Sequence, residues 1–258
     1  MEKLKIGIYE LTGCAGDALL ILDCESQLID IFQAADIEAF LMAKSDNSHG
    51  PVDIALVEGS VTTKEEKEEL LAIRKRAGLV IAMGNCACEG GIQAALTASG
   101  NWSEEFRQVY KDLKHTNVKP ISSQPIDAFV KVDYYLPGCP IGQEQFLTTF
   151  TRLLAGHPPE LYRFPVCLEC KWRENDCLLN KNVACLGPLT RAGCGAVCPS
   201  HNLPCVGCWG PAEEANRWAE FQLLREKGFD LESIQRKMTM YAGTTIVDFF
   251  KQLKKEKR

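Results

Sequence analysis

Thirteen of the 258 residues are cysteine, and eight of them crowd between Cys167 and Cys208. The spacing is C-x2-C-x6-C-x7-C over Cys167, Cys170, Cys177 and Cys185, then C-x3-C-x6-C-x2-C over Cys194, Cys198, Cys205 and Cys208. A stretch this rich in thiols and this poor in hydrophobic period draws folding energy from cross-links, zinc, or iron and sulfide. Cross-links fit worst. The count is odd, and the opening MEKLKIGIYELTG runs into a strand pattern with no apolar signal stretch and no twin-arginine motif. A cytoplasmic, reducing setting is expected, where stable disulfides are uncommon.

Zinc would suit the C-x2-C pairs Cys167/Cys170 and Cys205/Cys208. The remaining spacings favour iron. Cys194-Gly-Ala-Val-Cys198-Pro199 carries the C-x3-C-P ending of bacterial ferredoxin runs. Gly187 and Gly207 leave room for backbone to pass close to inorganic sulfide. Two [4Fe-4S] clusters are expected, with the simplest local grouping giving the first four cysteines to one and the last four to the other.

Composition sets the other bounds. At 46% hydrophobic and 24% charged the chain can bury a core, and a net charge of -5 gives no sign of a nucleic-acid surface. No apolar run reaches the roughly 20 residues that span a bilayer, so no membrane partner is expected. The four histidines, His49, His115, His157 and His201, form no zinc pattern and read as surface or turn residues.

The first half alternates strand and helix. Strands are expected at residues 5–9, 37–42, 52–57, 79–83 and 130–135. Asp17 is placed to cap one helix carrying Leu19, Leu20, Leu22, Leu28, Ile29 and Ile31. Thr63 with Glu66 forms a capping box, and 143–154 is a helix with Phe146, Leu147, Phe150 and Leu154 on one face. This predicts a flavodoxin-like, mostly parallel sheet with helices on both faces. There is no G-x-G-x-x-G after the first strand and no P-loop. Residues 1–157 form the α/β domain, 158–211 a mostly irregular iron-sulfur domain and 212–258 a helical extension. In the extension, Trp218, Phe221 and Leu224 recur, Asp230 caps one helix, and Thr245 caps a last one with Phe249 and Leu253 facing inward. The tail KQLKKEKR reads as a solvated terminus.

Cys14, Glu58, Cys86 and Cys139 all fall just after strands, and such loops converge at one edge of an open α/β sheet. Three thiolates could thus share a third cluster. Asp17, Cys24 and Cys88 compete for the fourth place. Cys24 lies about 10 Å along the helix from Asp17, too far for the same corner, and the direction of Cys88 is open. Asp17 is either a ligand or a cap. Glu58 supports the loop or an interface, or serves as a cap or turn residue.

The motifs YELTGC (9–14), VEGSV (57–61), GNCACEGGIQAA (84–95), LPGCP (136–140), PVCLEC (165–170), CLGPLTRAGCGAVCPS (185–200) and CVGCWGP (205–211) together resemble the small, electron-transfer subunit of cytosolic [NiFe] hydrogenases. The resemblance is to the NAD(P)-linked and sulfhydrogenase delta types, over roughly residues 3–211. It implies a proximal cluster on Cys14, Cys86 and Cys139, with Asp17 where the family normally has cysteine. It further implies a medial cluster on Cys194, Cys198, Cys205 and Cys208 and a distal one on Cys167, Cys170, Cys177 and Cys185. A nickel-iron large subunit and flavin/iron-sulfur diaphorase-type subunits are the implied partners. This chain itself is then a wire without catalysis of its own. The alternatives are a one-cluster subunit of a complex related to quinone oxidoreductases, which would lack the eight-cysteine segment, and a structural zinc protein.

Overall fold

The computed structural model describes residues 3–100, 102–110 and 119–256. The order of elements begins β1 (Lys5–Glu10), α1 (Gly16–Leu22), α2 (Glu25–Ala34), β2 (Asp36–Phe40), β3 (Val52–Glu58), β4 (Val61–Thr63), α3 (Lys64–Arg76), β5 (Ala77–Met83) and α4 (Gly84–Glu89). It continues with α5 (Ala94–Ser99), α6 (Trp102–Val109), β6 (Pro120–Gln124), β7 (Tyr134–Leu136) and α7 (Gln143–Leu154). The last part holds α8 (Val166–Trp172), α9 (Val197–Ser200), α10 (Arg217–Glu226), α11 (Leu231–Thr239) and α12 (Gly243–Glu256).

Five parallel strands form the central sheet in the order β2-β1-β3-β5-β7, and β4 pairs antiparallel with β6 beside it. This is the doubly wound, flavodoxin-like order expected from the alternation. Side chains alternate across the sheet because the strand period is two. Ile6, Ile8, Ile54, Leu56, Ile81 and Met83 pack on one face with α1, α2 and α7. Tyr9, Ala55, Val57, Val80 and Ala82 pack on the other with Leu70 and Ile73 of α3. Register aligns the strand ends: Glu10 pairs with Glu58, Glu58 with Met83, and Met83 with Leu136. The loops after β1, β3, β5 and β7 therefore leave the sheet at one edge.

Some local expectations need correction. The helix expected after β1 is two helices, broken at Asp23 and Cys24. Asp17 caps neither: it lies inside α1 and makes no cap bond there. The strand expected at 130–135 shrinks to Tyr134–Leu136, because the Val130 amide is drawn back to the Ile126 carbonyl at the end of the short 3-10 turn Ile126–Ala128. Asp133 then accepts the Val80 amide with its carboxylate and an Arg74 ion pair at 2.6 Å, which ends the ladder. Thr245 does not cap the last helix, which starts at Gly243.

The capping box at Thr63 and Glu66 and the Asp230 cap are both present. His49, His157 and His201 are exposed, while His115 lies outside the described residues.

A third apolar cluster joins the cysteine-rich stretch to the C-terminal helices. Leu178, Leu179, Leu186 and Leu189 pack with Phe221, Leu224, Ile234, Met238, Ile246 and Phe250. Apolar burial therefore contributes to folding of the cysteine-rich segment alongside any metal. No helix among the described residues is long and apolar enough to cross a membrane.

Candidate functional site

All thirteen cysteines are free thiols. Two leave the site for the core. Cys24 is buried beneath one sheet face and its thiol donates to the Leu20 carbonyl at 3.4 Å. Cys88 is buried beneath the other and donates to the Ala82 carbonyl at 3.5 Å.

Cys14 and Cys139, in the loops after β1 and β7, and Cys86, in α4 directly after β5, lie at the carboxyl edge of the sheet within electrostatic reach of one another. Burial pushes the Cys86 thiol up to about 11, and the neighbouring Cys139, Asp17 and Cys14 act in the same direction. Burial also raises Cys139, with Asp17 and Cys14 adding to it. Cys14 and Cys139 themselves remain exposed.

Asp17 lies among them and is buried. Its Oδ1 accepts the Ile141 amide at 2.8 Å, which ties α1 to the loop of Cys139. Its other oxygen rests against Gly84, whose φ of +81° and lack of a side chain make that approach possible. Burial lifts this carboxyl to about 6.

Glu58 takes the cap role expected of Asp17. From the end of β3 its carboxylate accepts the Ala18 amide at 2.6 Å and the Asp17 amide at 3.4 Å, satisfying donors that a helix start leaves free. Burial, then the charge of Asp17, push Glu58 up to about 7. A cap supplied from another strand has no spacing signature, so the sequence could not assign it.

The other eight cysteines raise one another's thiols across the whole segment. Burial raises Cys167 to about 12, with Cys185, Cys170, Cys177 and Cys205 next in effect. Burial raises Cys208 to about 12, with Cys205 and Cys194 next, then Cys139 and Cys198. Cys208 lies within electrostatic reach of Cys139 in the first group, and the Cys205 amide donates to the Cys185 sulfur at 3.2 Å. Among the described residues no group of three His, Cys, Asp or Glu side chains is close enough to hold a single metal ion.

The surroundings suit sulfur-ligated iron. Thiolates are soft donors, and here they are pushed toward the neutral thiol by burial and by one another, a penalty that bound cations reverse. A backbone amide points at one of the sulfurs: that of Cys205 donates to Cys185 at 3.2 Å. Space is kept open beside them. A methyl group on Gly91 would stand 2.7 Å from the Cys86 sulfur, and one on Gly187 3.1 Å from that of Cys167.

Two further buried carboxyls escaped sequence reasoning. Glu169 accepts the Gly193 amide at 2.8 Å and adds negative charge near Cys194. Glu220 on α10 is 3% exposed, its Oε1 has no hydrogen-bond partner, and burial lifts it to about 7. Glu169 sits between two cysteines and could have drawn notice; Glu220 occupies an ordinary helical position.

Residues 14–153 match the model of the family described as NADH ubiquinone oxidoreductase, 20 Kd subunit. The chain is 39% identical to sulfhydrogenase 2 subunit delta of Pyrococcus furiosus over 240 residues, covering 93% of this chain and 99% of that protein. It is 30% identical to a subunit of the vhu F420-non-reducing hydrogenase of Methanococcus voltae, covering 83% and 84% respectively. Among solved structures, a chain of an NAD+-reducing [NiFe]-hydrogenase in the H2-reduced state superposes with a TM-score of 0.56 at 30% identity, covering 62% of this chain and 95% of that one. The chain belongs to the family of the 20 kDa oxidoreductase subunit, as a non-catalytic small electron-transfer subunit of an oxidoreductase complex, related to the sulfhydrogenase delta and F420-hydrogenase types.

Proposed function

We propose that this chain relays electrons through three [4Fe-4S] clusters between a nickel-iron large subunit and a flavin- and NAD(P)-linked partner. The carrying observation is that the expected groups touch: the Cys205 amide donates to the Cys185 sulfur at 3.2 Å, and Cys139 acts electrostatically on Cys208. Cys14, Asp17, Cys86 and Cys139 would hold the proximal cluster. Cys194, Cys198, Cys205 and Cys208 would hold the medial one, and Cys167, Cys170, Cys177 and Cys185 the distal one. When bound, such clusters accept and release single electrons, which two-electron oxidation of H2 at the large subunit would supply, or consume in reverse.

The chain's own residues do the rest. Thiols and backbone amides would fix each site, and burial around Cys185 and Cys205 keeps water from that part of the segment. Hydrogen bonds to sulfur and local charge set the potential. Asp17 would put an oxygen at the place where the resemblance implies a cysteine, and so would shift the proximal potential. The exposed Cys14 and Cys139 mark the edge that the large subunit covers. Trp172, 68% exposed on the helix that carries Cys167 and Cys170, packs on Phe164, which packs on Tyr162, and would offer a surface to a second partner. We divide the work among residues 1–157 for the proximal site, 158–211 for the other two, and 212–258 for the helical extension.

The matched family model ends at residue 153, before the eight-cysteine segment. A one-cluster reading would fit that part alone and leaves the segment unexplained. Anaerobic purification decides the matter. The relay requires a brown protein with about twelve irons and as many sulfides per chain; about four irons, or a colourless zinc protein, would overturn it.

A further inference from the structure

The residues at the start of α12 and just before it grip α4, the helix that carries Cys86. The Asn85 side chain, 1% exposed, donates to the Tyr241 carbonyl at 3.0 Å. Thr244 donates to the Glu89 carbonyl at 2.9 Å, and Thr245 donates to the Glu89 carboxylate. Gly243 lies so close to the backbone of Ala94 that a methyl group there would stand 2.5 Å from its carbonyl oxygen. These contacts together bind one short segment to the loop of the first thiol group.

The same segment also touches the second group. Tyr241 lines a cavity of about 30 Å³ together with Thr190, Gly207 and Gly210. Gly207 stands between Cys205 and Cys208, and Thr190 accepts a hydrogen bond from the Cys205 thiol at 3.3 Å.

We propose that Tyr241 is the bridging residue between the first and second thiol groups, and that residues 241–245 of the C-terminal extension hold it in place. This deepens the relay reading and rests on it. One electron leaves the first site and arrives at the second. Tyr241 is neither oxidised nor reduced in the process, and its ring supplies packed matter where a gap would otherwise separate donor from acceptor. The C-terminal helices are in this respect part of the conductor.

The test uses the assembled complex, comparing wild type, Tyr241→Phe and Tyr241→Ala. Iron per chain, the electron paramagnetic resonance (EPR) signals of the separate clusters, and the rate at which the second cluster is reduced after the first are read in each. The phenylalanine variant should keep the wild-type rate with full iron. The alanine variant should slow transfer between the first two sites while leaving the third site's signal unchanged. Selective loss of iron from the first two sites in the alanine variant would also support the placement. Full iron with an unchanged rate, or equal loss from all three sites, overturns it. A wild-type complex without iron would instead sink the relay reading itself, so the two failures are distinguishable.

Discussion

Asp17 concentrates the chemistry of the first site in one side chain. One oxygen is committed to the Ile141 amide, and the carboxyl lies within electrostatic reach of Cys86 and Cys139. The ligand role predicts a selective loss: Asp17→Ala should remove about four irons per chain and the proximal EPR signal, leaving the other two clusters. Orphaning the Ile141 amide adds a cost of about 1–3 kcal/mol. Asp17→Cys should retain the iron and move the proximal potential. If Asp17→Ala keeps its full iron and an unchanged signal, the carboxylate is only a tie between α1 and the Cys139 loop. The sequence made Asp17 conspicuous by its place three residues after Cys14, but could not separate ligand from cap. That choice turned on Glu58, which is 41 residues away and does the capping.

At the level of elements, legibility tracked the range of the interaction. The Thr63 box was readable because Glu66 is its partner three residues on, and both halves form. Thr63→Ala should therefore cost about 1 kcal/mol, seen as a lower denaturation midpoint and faster amide exchange in the first turn of α3. An unchanged midpoint would mean that packing of Leu70 and Ile73 alone holds the helix. Parallel strands were legible from their apolar runs, and their order followed from the alternation with helices. The final strand was not, because Val130 is drawn into a turn and Asp133 replaces a ladder partner with its carboxylate. The Thr245 cap failed for a similar reason: its hydroxyl bonds Glu89, 156 residues earlier. The eight later cysteines stood out by their spacing, and Cys14, Cys86 and Cys139 by their places after strands. The contact of the Cys205 amide with the Cys185 sulfur, 20 residues apart, had no such signal.

Over the whole molecule, the C-terminal helices complete the core of the cysteine-rich segment, and they do so with a carboxyl trapped inside. Glu220 has its folded pKa raised by burial to about 7 from an ordinary 4.5. A carboxyl raised in this way favours the folded state below its unfolded pKa, and that contribution is lost as pH climbs through the folded value. The difference is about 3 kcal/mol across the window. Thermal stability of the wild type should therefore fall between about pH 5 and pH 8, and Glu220→Gln should flatten that dependence whatever its effect on the absolute midpoint. An equally steep profile in the glutamine variant would assign the loss to other groups.

Cys14 and Cys139 stay open at the edge of the sheet while the other two groups are more enclosed. If the relay proposed above holds, an orphan subunit would carry its most oxygen-vulnerable centre on the outside. The same opening would set an order for biogenesis: iron and sulfide would have to be delivered there before a neighbouring chain arrives and seals the doorway.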